Sequence, residues 1–240
     1  MNKSFLSSEN FKTRVSTGVL LAIIVIAALF TPNVLGFRIL FAAAGFMACL
    51  ELYLAHKSQI YRGILMKDDR VLILEYAVIL IAIYSMSSFF ERNEIILVIL
   101  GAISTDIFAY FVGSTFHDKL FKTRPFPKIS PKKSWEGIIG GVVGCIITLF
   151  VSAHVMHVEV TTRVIVFIIA CPIISIFGDW FASFCKRFLK IKDSSDCIRT
   201  SALMFPKMLE RLVAGHGGYL DRIDSISAVA CLMFWVKLAN

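Results

Sequence analysis

Long apolar runs separated by short polar breaks recur along the whole chain. Runs close to the roughly 20 residues that a helix needs to cross hydrocarbon fall at about seven places: 15–31, 37–56, 71–90, 95–113, 137–157, 164–185 and 222–238. Polar stretches at 56–70 and 114–135 part the second run from the third and the fourth from the fifth. The last run is the weakest, because the chain ends soon after it. No internal repeat or low-complexity tract interrupts the pattern. It predicts an all-α, polytopic integral membrane helical bundle, a single membrane-embedded domain over 1–240 with about seven transmembrane helices.

Composition agrees. The 240 residues are 57% hydrophobic and 18% charged, which is too apolar for a soluble domain of this length. Lys3, Lys12 and Arg14 precede the first run as they would in a secretory signal. Thr31, Pro32 and Asn33 follow it in place of a small-residue cleavage site, so an uncleaved first span is expected.

Orientation follows from Lys and Arg, which are retained on the cytosolic side of a membrane. The amino-terminal tail, the 57–70 connection, the 114–135 connection and the 186–222 segment together hold 21 of the 25. These are alternate connections. The other four, Arg38, Arg92, Arg163 and Lys237, fall on the opposite side, so seven spans with a cytosolic amino terminus satisfy the bias throughout.

The net charge of +8 then has a location. A basic surface serves nucleic acid, anionic headgroups or a phosphorylated substrate, and a bilayer favours the last two. Membrane lipids are expected partners and nucleic acid is not. The six cysteines (Cys49, Cys145, Cys171, Cys185, Cys197 and Cys231) show no C-x-x-C pair and no zinc-type spacing, and read as free, mostly buried thiols.

This topology brings distant carboxylates to one level. Span four carries Asp106 about seven residues before its cytosolic end, hence roughly 10 Å deep at 1.5 Å per residue. Span six delivers Asp179 near its exit. Asp221 and Asp224, three residues apart, open span seven on one helical face, while Glu51 and Glu75 lie near the cytosolic ends of spans two and three. One intramembrane Asp is as well explained by a structural ion pair as by function, but several at one depth point to a cation site.

Basic residues gather beside them. Lys119, Lys122, Arg124 and Lys128 precede Ile129 to Gly137, which contains Lys132, Lys133, Ser134, Trp135 and Glu136. Composition alone makes this a headgroup-facing loop. Its place next to the carboxylates makes it a candidate clamp for phosphate. Gly137, Gly140, Gly141 and Gly144 have small-x-x-x-small spacing and predict close packing between helices.

The carboxy-terminal stretch is the most informative. Gly178, Asp179, Trp180, Phe181, Ala182 and Ser183 are followed by Lys186, Arg187, Lys192 and Asp193, then by Gly215 to Asp224. That last piece reads His-Gly-Gly-x-x-Asp-Arg-x-Asp. Glycines ahead of a helix let backbone N–H groups approach an anion. Asp221 and Asp224 suit a divalent cation, and Arg222 suits a phosphate oxygen.

The string resembles the signature of the CDP-diacylglycerol synthases, also called phosphatidate cytidylyltransferases. Four separated pieces occur in the family's order: Asp106 with Ala109, Tyr110 and Phe111; Ser130 to Gly137; Gly178 to Asp193; Gly215 to Ser225. They lie mainly within 104–225. The amino-terminal half matches in hydropathy, with Glu51 as an extra correspondence.

The resemblance implies a membrane enzyme that joins CTP and phosphatidate, using Mg2+, to give CDP-diacylglycerol and pyrophosphate at the cytosolic face of an inner membrane. Carried over by position, it implies Asp193, His216, Asp221, Arg222 and Asp224 as catalytic. Lys132, Lys133, Lys186, Arg187, Lys192, Gly217 and Gly218 would bind substrate, and Asp106, Asp179, Asp193, Asp221 and Asp224 metal. A homodimer is compatible with it. The rival readings are a CTP-dependent lipid kinase or related lipid cytidylyltransferase and, outside transferases, a cation or proton transporter.

The chain departs from the family pattern twice. Ala182 stands where the pattern leads one to expect a Glu. Asp193 and His216 are 23 residues apart, against fewer than ten in the pattern, so 198–214 reads as an insertion. Leu203, Met204, Phe205, Met208, Leu209, Leu212 and Val213 alternate there with Lys207, Glu210 and Arg211 as in a short interfacial helix. A tolerated surface insertion is the favoured reading, because connections absorb added length at little entropic cost.

Overall fold

The computed structural model describes residues 19–20, 22–61, 70–116, 121, 123–127, 129–130, 133–191 and 218–239. Every regular element among them is helical. A helical stretch over 22–29 ends at Thr31, whose hydroxyl donates to the Ala28 carbonyl at 2.7 Å and accepts from the Gly36 amide at 2.8 Å. This one side chain joins the end of one helix to the start of the next. A 3-10 turn at Pro32–Val34 follows, with Asn33 and Val34 at positive φ.

Six longer helices come next: α1 (Leu35–Tyr61), α2 (Arg70–Tyr84), α3 (Arg92–Phe116), α4 (Trp135–Val155), α5 (Thr162–Phe188) and α6 (Leu220–Leu238). They match the second to seventh apolar runs within a few residues. A π turn at Ser85–Phe89 extends α2. Five of the described helices, α1 to α5, are long and apolar enough to cross a membrane. At 1.5 Å per residue, the 27 residues of α5 run for about 40 Å.

Local chemistry sets the ends. Ser134, in an extended conformation, accepts the Gly137 amide at 3.1 Å and so starts α4. Glu136 reaches back to accept the Phe121 amide at 2.9 Å, tying the preceding loop to the helix start. The far ends of α4 and α5 close alike. Val158 donates to Ala153 and Ile191 to Lys186, with His157 and Lys190 in the left-handed region. These are Schellman closures in which the usual glycine is replaced.

Helices α3 and α4 form the closest pair. A Cβ added at Gly144 would stand 2.1 Å from Phe108, and one at Gly137 2.8 Å from the Ala109 carbonyl. The glycine stripe is thus an internal seam, as its spacing predicts. Gly178 does the same between α5 and α6, where an added Cβ would be 2.5 Å from Ala228 and 3.1 Å from the Asp224 carbonyl.

Helix α6 is the hub. It packs on α5, α2, α3 and α1, although its sequence gave the weakest apolar run. A helix surrounded by protein need not be apolar enough for lipid, and this one carries Asp221, Arg222 and Asp224 in and just after its first turn.

Cations close off the end of the bundle where α2 breaks and α3 begins. Lys237 donates to the Phe89 carbonyl at 3.1 Å and pairs with Glu94 at 2.8 Å. Arg38 donates to the Phe90 carbonyl at 3.1 Å and Arg92 to the Thr31 carbonyl at 3.2 Å. Carbonyls released by the π turn and helix ends thereby find donors. The described cysteines are free thiols.

Candidate active site

The opposite end holds a cavity of about 630 Å³, within the range of small-molecule sites. Asp106, Ala109, Tyr110 and Gly113 line it from α3, at the spacing that places residues on one helical face. Ser134, Gly137 and Ile138 come from the start of α4, Ile176 and Asp179 from α5, and Arg124 and Lys133 from the loop. Charged groups therefore stand along walls that are otherwise largely apolar.

Lys133 is held against Asp179 at 2.6 Å. Asp179 is also close enough to Asp106 for the two charges to oppose each other, with Lys133 offsetting them. The charge of Asp179 also reaches Asp224 and Lys186. Lys186 is ion-paired with Asp221, and the charges of Lys186 and Asp221 reach Asp224 in turn. Asp106, Asp179, Asp221 and Asp224 are thus electrostatically linked across α3, α5 and α6, with two lysines set among them. Asp106 and Asp221 belong to one end of the molecule, as the topology read from sequence requires.

Asp221 does two things at once. One oxygen takes Lys186, and the other accepts the Gly218 amide at 2.9 Å, the reach-back of a helix-capping acid. The next two amides, of Tyr219 and Leu220, donate at 2.9 Å each to the two oxygens of Glu51 from α1. Glu51 is fully buried. The glycine-rich start of α6 does present its amides to anions, and in this structure those anions are carboxylates of the protein itself.

Other expected residues fall as follows. Asp224 is half-buried, and one of its oxygens accepts the Ser225 amide at 2.6 Å. Arg222 is half-buried on the first turn of α6. Arg187 donates to the Ile191 carbonyl at 3.3 Å, just beyond the end of its own helix. Ala182 is completely buried, so a methyl group occupies core at that place. Lys132, Lys192, Asp193, His216, Gly217 and the 198–214 segment lie outside the described residues.

The structure gives particular tasks to residues that the sequence placed only in the basic loop or among the converging acids. Arg124 lines the cavity, Ser134 and Glu136 fix the loop that carries Lys133, and Glu51 meets the start of α6. Glu75 is also buried, with the Cys185 thiol 4.0 Å from its carboxylate.

Among the described residues no three carboxylate, thiol or imidazole groups stand together so as to hold a metal ion. The donor chemistry nonetheless suits magnesium. That ion keeps several waters and takes only one or two carboxylates plus substrate phosphates; Asp179, whose charge reaches both Asp106 and Asp224, is the donor type it takes.

Comparison with known proteins agrees with this chemistry. The model of the "Cytidylyltransferase family" matches residues 69–201, from the start of α2 to inside the segment 198–214. The "Phosphatidate cytidylyltransferase" of Rickettsia prowazekii is 29% identical over 239 residues, covering 96% of this chain and 93% of that protein. The Haemophilus influenzae protein of the same name is 36% identical over 130 residues, 52% of this chain and 38% of its own. "Phosphatidate cytidylyltransferase 4, chloroplastic" of Arabidopsis thaliana is 36% identical over 135 residues, 56% of this chain and 29% of its own. With more than half its length matched by that model, and the matched part including Asp106, Lys133, Asp179 and Lys186, the chain belongs to the cytidylyltransferase family.

Proposed function

We propose that this chain transfers the cytidylyl group of CTP to phosphatidate, giving CDP-diacylglycerol and pyrophosphate. Family membership supports the reaction, and the relative from Rickettsia prowazekii aligns along nearly the whole chain. The structural observation that carries it is the group of Asp106, Asp179, Asp221 and Asp224 with Lys133 and Lys186 set among them, beside a cavity at one end of a membrane bundle. A transporter would need the carboxylates without the lysine clamps, and a lipid kinase would release CDP.

The chemistry follows from charge. A phosphatidate oxygen attacks the α-phosphorus of CTP in line; a new P–O bond forms as the bond to the β-phosphate oxygen breaks, and the electron pair leaves with pyrophosphate. Two polyanions must first be brought together. Lys133 and Lys186 now neutralise Asp179 and Asp221, and each can exchange its carboxylate for a phosphate oxygen with little change in local charge. Lys132, Arg187, Lys192 and Arg222 are assigned to the same task, and Asp193 and His216 to the reacting centre. Phosphatidate is already ionised at neutral pH, so a strong general base is not required.

Asp106, Asp179, Asp193, Asp221 and Asp224 are the residues that would hold magnesium. When bound, it screens the approaching phosphates and stabilises charge on the departing pyrophosphate. Carboxylates that give up Lys133 and Lys186 to phosphate would be free to hold it.

We assign seven spans to the chain, with the amino terminus and the site on the cytosolic face of the inner membrane. The cation bias supports this, as does the meeting of Arg38, Arg92 and Lys237 at the end away from the site. Thiol labelling of single cysteines placed in each connection from outside checks it; labelling at 57–70 or 114–135 in intact cells would sink it. The reaction is tested with purified protein, phosphatidate, magnesium and each of the four nucleoside triphosphates. Pyrophosphate and labelled lipid should appear with CTP alone, whereas CDP as the released product would make the chain a kinase.

A further inference from the structure

We propose that Glu51 is a positioning residue for the transfer site: a buried carboxylate on α1 that holds the first turn of α6 by two backbone amides and so sets where Asp221 and Asp224 stand. The proposal rests on the transfer reaction assigned above.

The first amides of a helix have no partner inside it. At α6 three successive amides are each taken by a carboxylate oxygen: Gly218 by Asp221, Tyr219 and Leu220 by Glu51. Tyr219, the residue before the helix, provides no side-chain cap. The task falls instead on a residue 168 positions away in sequence from Tyr219.

Glu51 is 0% exposed, so water does not compete for its oxygens. Bonds from N–H to a carboxylate at a helix amino terminus are charge-assisted and favoured by the helix dipole. The clamp also divides labour. With Glu51 on two amides, Asp221 needs only one oxygen for the third and keeps the other on Lys186.

The clamped amides directly precede Asp221, and Asp224 lies one turn on. A shift of about 1 Å in reacting groups costs on the order of 10²-fold in rate. Glu51 thus acts on the reaction through the helix it holds, without touching substrate.

The test compares full-length wild type, Glu51→Gln and Tyr219→Pro in lipid nanodiscs, reading steady-state kinetics and backbone hydrogen exchange. In Glu51→Gln one oxygen still accepts, but an NH2 group meets the other amide. We expect kcat to fall about tenfold or more with KM for CTP within about twofold. Exchange at Tyr219 and Leu220 should rise about tenfold, with the amides of 226–236 unchanged.

Tyr219→Pro leaves Glu51 in place and deletes one donor; φ at Tyr219 is −65, which proline adopts without strain. It should lower kcat in the same way but less, and it decides the matter if Glu51→Gln does not fold. Unchanged kcat in a folded variant overturns the proposal, even if the melting temperature drops, and so does unchanged exchange at Leu220. If wild type transfers nothing from CTP, the assigned reaction fails and the positioning role with it; exchange in Glu51→Gln still tells whether the clamp itself exists.

Discussion

The two ends of this bundle use charge differently. Where α2 breaks and α3 begins, Arg38 and Arg92 are spent on backbone carbonyls of interrupted helices, and Lys237 is shared between the Phe89 carbonyl and the Glu94 carboxylate. At the other end Lys133 and Lys186 are set on carboxylates. A cation on a carbonyl repairs the fold and has nothing to exchange. A cation on a carboxylate can trade one anion for another, which is what a phosphate-handling site needs. The location of a lysine near the membrane surface does not tell the two apart; the full set of acceptors does, since Lys237 is tied to a main-chain carbonyl as well as to its carboxylate.

The strongest way to break this contrast is Asp221→Asn. The amide can still accept the Gly218 N–H, but it takes from Lys186 its ion-pair partner. With expression and folding intact, kcat/KM should fall by about 10³-fold, roughly 4 kcal/mol. Near-normal turnover would take Asp221 out of the mechanism. Lys133→Met comes next. It removes the lysine that offsets Asp179 and Asp106, and kcat/KM in a phosphatidate titration should fall about 10²-fold.

The opposite end should respond in stability. Lys237→Met removes the donor to Phe89 and the partner of Glu94, a loss of about 1 kcal/mol that lowers the melting temperature by about 2–4 °C. Its kcat/KM should stay within about twofold of wild type; a tenfold drop would erase the distinction between the ends. The smallest effect is a gain. Lys190 closes α5 in the left-handed region, where glycine has no steric penalty, so Lys190→Gly should stabilise by about 0.5–1 kcal/mol in thermal unfolding.

Much of the bundle was legible because hydropathy reports what lipid requires. The runs at 37–56, 95–113 and 164–185 became Leu35–Tyr61, Arg92–Phe116 and Thr162–Phe188. The helices outrun their apolar cores because hydrogen bonding continues until a cap such as Ser134 or Thr161, or a closure such as Lys190, intervenes. The π turn at Ser85–Phe89 was invisible, since no Pro or Gly marks it.

In the site, Asp106, Asp179, Asp221 and Asp224 stood out because a carboxylate inside an apolar run is costly. Their partners did not. Lys133 was one of six basic residues between 114 and 135, and sequence alone could not say which of them would meet Asp179. Glu51 was visible as a buried acid, but its acceptance of two amides leaves no mark in sequence, because every residue except proline offers the same donor.

The contact at Gly178 has a further consequence. With no side chain there, the backbones of α5 and α6 touch just where Asp179 and Asp224 project, so the gap between these acids is gauged by main chain against main chain. A methyl group at position 178 would wedge the two backbones apart and move both acids at once, so this glycine calibrates the site without any chemistry of its own.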